Sequence, residues 1–110
     1  MAEARLAAGL WVSVYLARLN AEGIFAHVVH HGEDTAGAVA VKLATMDGQA
    51  ELYCRVYDAE GRRIWDRLHQ GAEAETDEVI ARQRKYDPDL WVIEVEDPKG
   101  RHLLDAEGLA

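Results

Sequence analysis

The sequence predicts an α+β domain: an antiparallel sheet of four to six strands with two helices packed on one of its faces. Three observations lead there. Short segments that alternate apolar and polar residues recur between Ile24 and Glu96. Turn-forming residues separate them, and two stretches carry apolar residues at helical spacing. Burying two helical stripes and a one-sided sheet together needs such a layered arrangement.

The elements follow in chain order. From Leu10 to Asn20, Val12, Tyr15, Leu16 and Leu19 form an amphipathic stripe with Arg18 on the wet side, and Asn20 to Gly23 supplies the stop. The β-branched and aromatic residues of LWVSVYL also suit a strand. Ile24 to His31 reads as a strand running into the turn GEDTAG, and Val39 to Leu43 as a second strand with Lys42 on the face opposite Val41. Asp47-Gly48 predicts a type I′ hairpin into a third strand, Glu51 to Tyr57. After DAEG, Arg62 to Leu68 returns as a fourth, giving an antiparallel meander. Residues 73–86 are rich in helix formers, with Val79, Ile80, Gln83 and Tyr86 near one face, acids at the start and Arg82, Arg84 and Lys85 at the end. Pro88 closes that helix. Leu90 to Glu96 is a strand with Trp91, Ile93 and Val95 on one face, and Arg101 to Leu104 a short return before frayed residues at about 105–110, matching frayed residues at about 1–5.

One domain of 110 residues, 49 % hydrophobic, is enough for a core without disulfides or metals holding it together. Twelve basic against twenty acidic residues give a net charge of −8, which opposes binding to nucleic acid or anionic lipid. The lone Cys54 forms no intrachain disulfide and fits a reducing compartment. No signal peptide is apparent and no apolar run is long enough to span a membrane, so a cytoplasmic location is expected.

The densest polar cluster is HVVHHGED, with His27, His30, His31, Glu33 and Asp34 inside eight residues. In a regular strand His27 and His31 share one face and His30 takes the other. His27 and His31 would stand about 13 Å apart, too far to chelate one ion. Glu33 and Asp34 suit a turn. Only a β-bulge, or convergence with His69 or His102, would gather these histidines. No metal site and no cofactor is therefore predicted, and no phosphate loop or dinucleotide fingerprint is present. Cys54, between Leu52 and Val56, reads as a core residue, and Ser13 lacks a glycine elbow. Glu94 and Glu96 lie about 7 Å apart on one strand face, as acid–base groups or a solvated edge would. Tyr53, Tyr57 and Trp65 alternate with arginines, a pattern of cross-strand packing or of a protein-contact surface.

AGLWVSVYLARLNAEG, GAVAVKL and YDPDLWVIEVED, taken in this order, are specific enough to place the chain by likeness. From about Leu6 to Leu104 it resembles a family of small, mostly alphaproteobacterial proteins, classed as a domain of unknown function (family 1491). Asp87-Pro88-Asp89-Leu90-Trp91-Val92 leading into Glu94, Val95, Glu96 and Asp97 carries most of that likeness. The resemblance implies a free-standing bacterial cytoplasmic protein and assigns no catalytic residue, cofactor or partner.

The sequence thus favours a non-enzymatic module acting through protein contact, as a homodimer or with another protein, through Tyr53, Tyr57 and Trp65. The alternative is a ligand-binding domain or enzyme with a pocket between helix 73–86 and the sheet, using Arg82, Arg84, Asp87 and Glu94.

Overall fold

The computed structural model describes residues 6–106, 108 and 109; the expected fraying at 1–5 lies outside the described residues. Helix α1 (Ala8–Ala21) buries Ala8, Trp11, Val12, Tyr15 and Leu19, one face of the predicted stripe extended by a turn at its start. It stops at Gly23, which takes φ 72° while Ile24 N–H bonds back to the Leu19 carbonyl. Strands β1 (Phe25–His30), β2 (Val39–Ala44), β3 (Gln49–Tyr57) and β4 (Arg63–Ala72) follow, then helix α2 (Glu73–Tyr86) and strand β5 (Trp91–Glu96). No helix among the described residues is long and apolar enough to cross a membrane.

The five strands form one sheet in the order β1-β5-β2-β3-β4. It is largely antiparallel, as expected, with one exception: β5 lies parallel to β2, with Val41 opposite Ile93. β1 therefore does not pair with β2 in a meander. The last strand enters between them, and only β2-β3-β4 is a continuous meander.

The helices also depart from expectation, since they cover opposite faces. Val39, Val41 and Leu43 of β2, with Trp91, Ile93 and Val95 of β5, pack against α1. The alternate residues Ala40 and Val92, with Leu52 of β3, pack against Ile80 of α2. β2 is consequently buried along its whole length, Lys42 included. On α2, Thr76 joins Ile80 in the core, whereas Tyr86 points outward.

The short return expected at Arg101–Leu104 forms no strand. The segment after β5 runs as an irregular tail over the α1 face, with Leu104 and Leu109 buried there. Among the described residues, two long-range side-chain bonds hold it: the Tyr15 hydroxyl donates to the His102 carbonyl (2.7 Å) and Trp65 Nε1 to the Leu109 carbonyl (2.8 Å). The hairpin at Asp47-Gly48 is present but longer than a two-residue turn. Positive φ falls on Met46 and Gly48, and Asp47 Oδ1 accepts from the Thr45 hydroxyl and the Gln49 N–H.

Candidate functional site

Two polar constellations stand out, at opposite ends of the sheet. The first is built around Lys42, only 4 % exposed on the central strand. Its ammonium meets Asp77 Oδ1 at 2.8 Å and Glu73 Oε1 at 2.9 Å, both from α2, and Glu94 Oε1 at 3.1 Å from β5. Burial disfavours the charged lysine, yet hydrogen bonds to Asp77, Glu73 and Glu94 outweigh it and raise its pKa. Glu96 is two residues along β5 and projects to the same side. Its pKa is raised chiefly because its carboxyl hydrogen-bonds that of Glu94, with burial adding to the rise.

Across the β1·β5 ladder His27 is the register partner of Glu94. One donor atom from each of His27, Glu94 and Glu96 lies within 4.8 Å of the other two. A β-bulge then changes the rest of β1: Val28 pairs with Ile93 but His30 pairs with Val92, leaving Val29 as the extra residue. His27 and His30 therefore share the α2 side of the sheet, which corrects the alternation expected of a regular strand. His30 Nδ1 is bonded to the Leu90 carbonyl (2.7 Å). His31 lies beyond the strand, against the Trp91 ring and 3.0 Å from Asp34 Oδ1. His69 Nδ1 donates to the Thr76 hydroxyl oxygen, whose proton goes to the Ala72 carbonyl. His102 packs on Tyr53 and accepts from the Leu104 N–H. The histidines gather with each other nowhere; His27 gathers with carboxylates instead.

The second constellation is a cleft of about 850 Å³. It opens because β2 begins only at Val39, whereas β3 runs on to Tyr57 with β4 alone beside it. Segment 31–38 turns away there and is pinned on the turn before β5. Glu33 N–H bonds to the Asp89 carbonyl, Trp91 N–H to that of Ala38, and Trp91 Nε1 to that of Glu33. Glu33 and Asp34 do belong to a turn; the Ala36 N–H bonded to Glu33 Oε2 lowers the Glu33 pKa. The start of α1 docks on the same segment through bonds from Ala8 and Gly9 N–H to the Thr35 and Asp34 carbonyls.

Cys54 and Val56 floor the cleft on the α2 side, where Gln83, Tyr86 and Asp87 close it. Burial raises the Cys54 pKa, and its thiol faces Gln83 Oε1 at 3.8 Å. On the α1 side the cleft is bounded by Arg55. Its guanidinium lies 4.6 Å from the Trp11 ring centre and 5.0 Å from that of Trp65. Its N–H groups find no hydrogen-bond acceptor or carboxylate among the described residues. Arg63 lines the cleft as well.

Residues 6–105 match the family described as "Protein of unknown function (DUF1491)". The chain belongs to the DUF1491 family. A crystal structure of a DUF1491 family protein from Caulobacter crescentus shares 35 % identity, covering 91 % of this chain and 95 % of that one, with a TM-score of 0.84. An NMR structure of a DUF1491 family protein from the same species gives 34 % identity, coverage of 91 % and 93 %, and a TM-score of 0.79. The solution structure of protein Atu0922 from A. tumefaciens gives 30 %, 84 % and 86 %, and 0.73. No curated protein matches the chain at a significant level. Membership of DUF1491 thus extends the likeness over fold and sequence without attaching a reaction to either constellation.

Of the residues singled out by sequence, Asp87 lines the cleft and Glu94 belongs to the Lys42 cluster. Arg84 borders a shallow hollow with His30, Ala81, Lys85 and Pro88, and Arg82 lies exposed outside both constellations. Tyr57 lines the cleft and is exposed. Tyr53 and Trp65 are half-buried, Tyr53 against His102 with its hydroxyl on Glu51, and Trp65 against Trp11. Sequence reasoning gives no role to Lys42 or to the pairing of His27 with Glu94 and Glu96, and it reads Arg55 only as part of the aromatic–arginine face with Tyr53 and Tyr57. One signal for Lys42 was available: a lone cation in an apolar strand, with acid-rich segments at 73–78 and 94–97 to receive it.

Proposed function

We propose that this DUF1491 protein is a small-molecule-binding domain whose cleft takes a carboxylate with an apolar body. The observation that carries the proposal is Arg55. A half-buried guanidinium held on two tryptophan faces, whose N–H groups meet no acceptor among the described residues, suits the recognition of a carboxylate. The cleft volume lies within the range of small-molecule sites, about 300–1,000 Å³. Val39, Val56 and Leu90 along its wall suit an apolar body.

Octanoate and phenylacetate serve as probes in thermal shift and tryptophan fluorescence titrations. Both should raise the melting temperature saturably, since a ligand that binds only the folded state stabilises it by mass action. Arg55→Met, which keeps the stem over the rings but removes the fork, should abolish the response. Equal responses in wild type and Arg55→Met, or none in either, would sink the proposal.

A second reading, contact with a protein chain, is favoured by Tyr86, 91 % exposed, and Tyr57 at the same cleft. Sedimentation velocity tests its homodimer form: Tyr57→Ala with Tyr86→Ala should lower the sedimentation coefficient if a dimer exists. A wild-type monomer at every concentration would remove that form.

A further inference from the structure

We infer that His27, Glu94 and Glu96 form a site for a divalent transition-metal ion, with one imidazole nitrogen and two carboxylate oxygens supplied by the neighbouring strands β1 and β5. The site is separate from the cleft. It lies where β1 begins and β5 ends, whereas the cleft lies at the start of β2.

The backbone sets the triangle. Register partnership fixes His27 directly across from Glu94, and Glu96 follows two residues on, toward the same side. Donor atoms already lie within 4.8 Å of one another. Metal–ligand distances of about 2.0–2.2 Å require donors roughly 3–4 Å apart, so closing the triangle takes side-chain rotation of about an ångström. The ladder itself need not move. Because His27 is exposed on an edge strand, an ion can enter from solvent and keep water on its remaining positions.

Donor chemistry selects the ion. Calcium and magnesium take all-oxygen shells, whereas one imidazole with carboxylates suits zinc, manganese or iron. Charge points the same way. Among the described residues a single ammonium, that of Lys42, faces the carboxylates of Glu73, Asp77 and Glu94, with Glu96 beside them, so acidic groups outnumber the cation in a way that favours a dication. Lys42 engages Glu94 through Oε1. The other oxygen can face the ion while the lysine orients the carboxylate from behind.

Isothermal titration of the full chain with zinc, manganese and calcium chlorides tests the site. Zinc or manganese should bind one ion per chain, at least tenfold more tightly than calcium. His27→Gln and Glu96→Gln should each weaken binding at least tenfold, while Glu75→Gln, an acid on α2 outside the triangle, should leave it unchanged. In parallel, ¹H–¹⁵N spectra of the histidine rings should show Mn²⁺ broadening His27 ahead of the other four, a readout that needs no variant to fold. A calcium preference, wild-type affinity in His27→Gln, or first broadening at another histidine would overturn the assignment.

Discussion

Lys42 shows how much can turn on a single residue. Its charge sits in the central strand under α2, where an unpaired ammonium would be expelled, and three carboxylates hold it there. Because the folded-state pKa is raised, the ion pairs persist as pH rises past the ordinary lysine range. Lys42→Met should therefore cost about 3 kcal/mol in urea unfolding at neutral pH, since it leaves Glu94 half-buried beside Glu96 with no cation. Adding Glu94→Gln to Lys42→Met should recover part of that loss, a coupling that a double-mutant cycle reads directly. Sequence alternation placed Lys42 correctly on the face opposite Val41. It could not show that α2 covers that face, because nothing local in VAVKLA records what lies above it.

At the scale of elements, local signals were legible and distant ones were not. Helix 73–86 and most strand bounds follow from spacing, helix-end charges and turn residues, all readable within a few positions, whereas β4 runs four residues past Leu68 to Ala72 and leads directly into α2. The bulge in β1 follows no such signal. Its anchor, the bond between His30 and the Leu90 carbonyl, joins residues 60 apart in sequence. Regular alternation therefore puts His27 and His30 on opposite faces and gives no sign that His27 faces two carboxylates on β5. Segment 31–38 is a second case, because its conformation is set by contact with the turn before β5. A Cβ on Gly32 would come within 2.4 Å of the Asp89 carbonyl oxygen and of the Trp91 ring. Neither the backbone nor a ring bonded to Glu33 can yield cheaply. Gly32→Ala should therefore lower stability by about 1–3 kcal/mol, seen as a shifted urea midpoint with an unchanged slope.

At the scale of the molecule, the sheet is sandwiched between α1 with the C-terminal tail and α2, so stability depends on how each layer is fastened. Asp97, immediately after β5 and 4 % exposed, fastens the tail. Its Oδ2 accepts from the Arg101 backbone N–H (2.8 Å) and Nε (2.9 Å), and Oδ1 from the same guanidinium. Bonding to the Arg101 side chain holds its pKa below the ordinary 3.8. A depressed carboxyl contributes stability above its unfolded-state pKa and loses it as pH falls through the folded-state value. Asp97→Asn should thus be less stable than wild type at pH 7, and the gap should narrow as acid unfolding by circular dichroism is followed below about pH 4.

The position of β5 has a consequence for how the chain is made. β5 (91–96) lies between β1 and β2, so the sheet's centre cannot assemble until residues 91–96 have left the ribosome. Contacts of such long sequence separation slow folding and leave strand edges open meanwhile. The same topology makes the protein divisible. A fragment of residues 1–87 should be unfolded alone and recover the sheet when a peptide of residues 88–110 is added, with β-sheet circular dichroism rising to a one-to-one end point. If the shorter fragment holds a cooperative sheet by itself, the centre does not depend on its last strand.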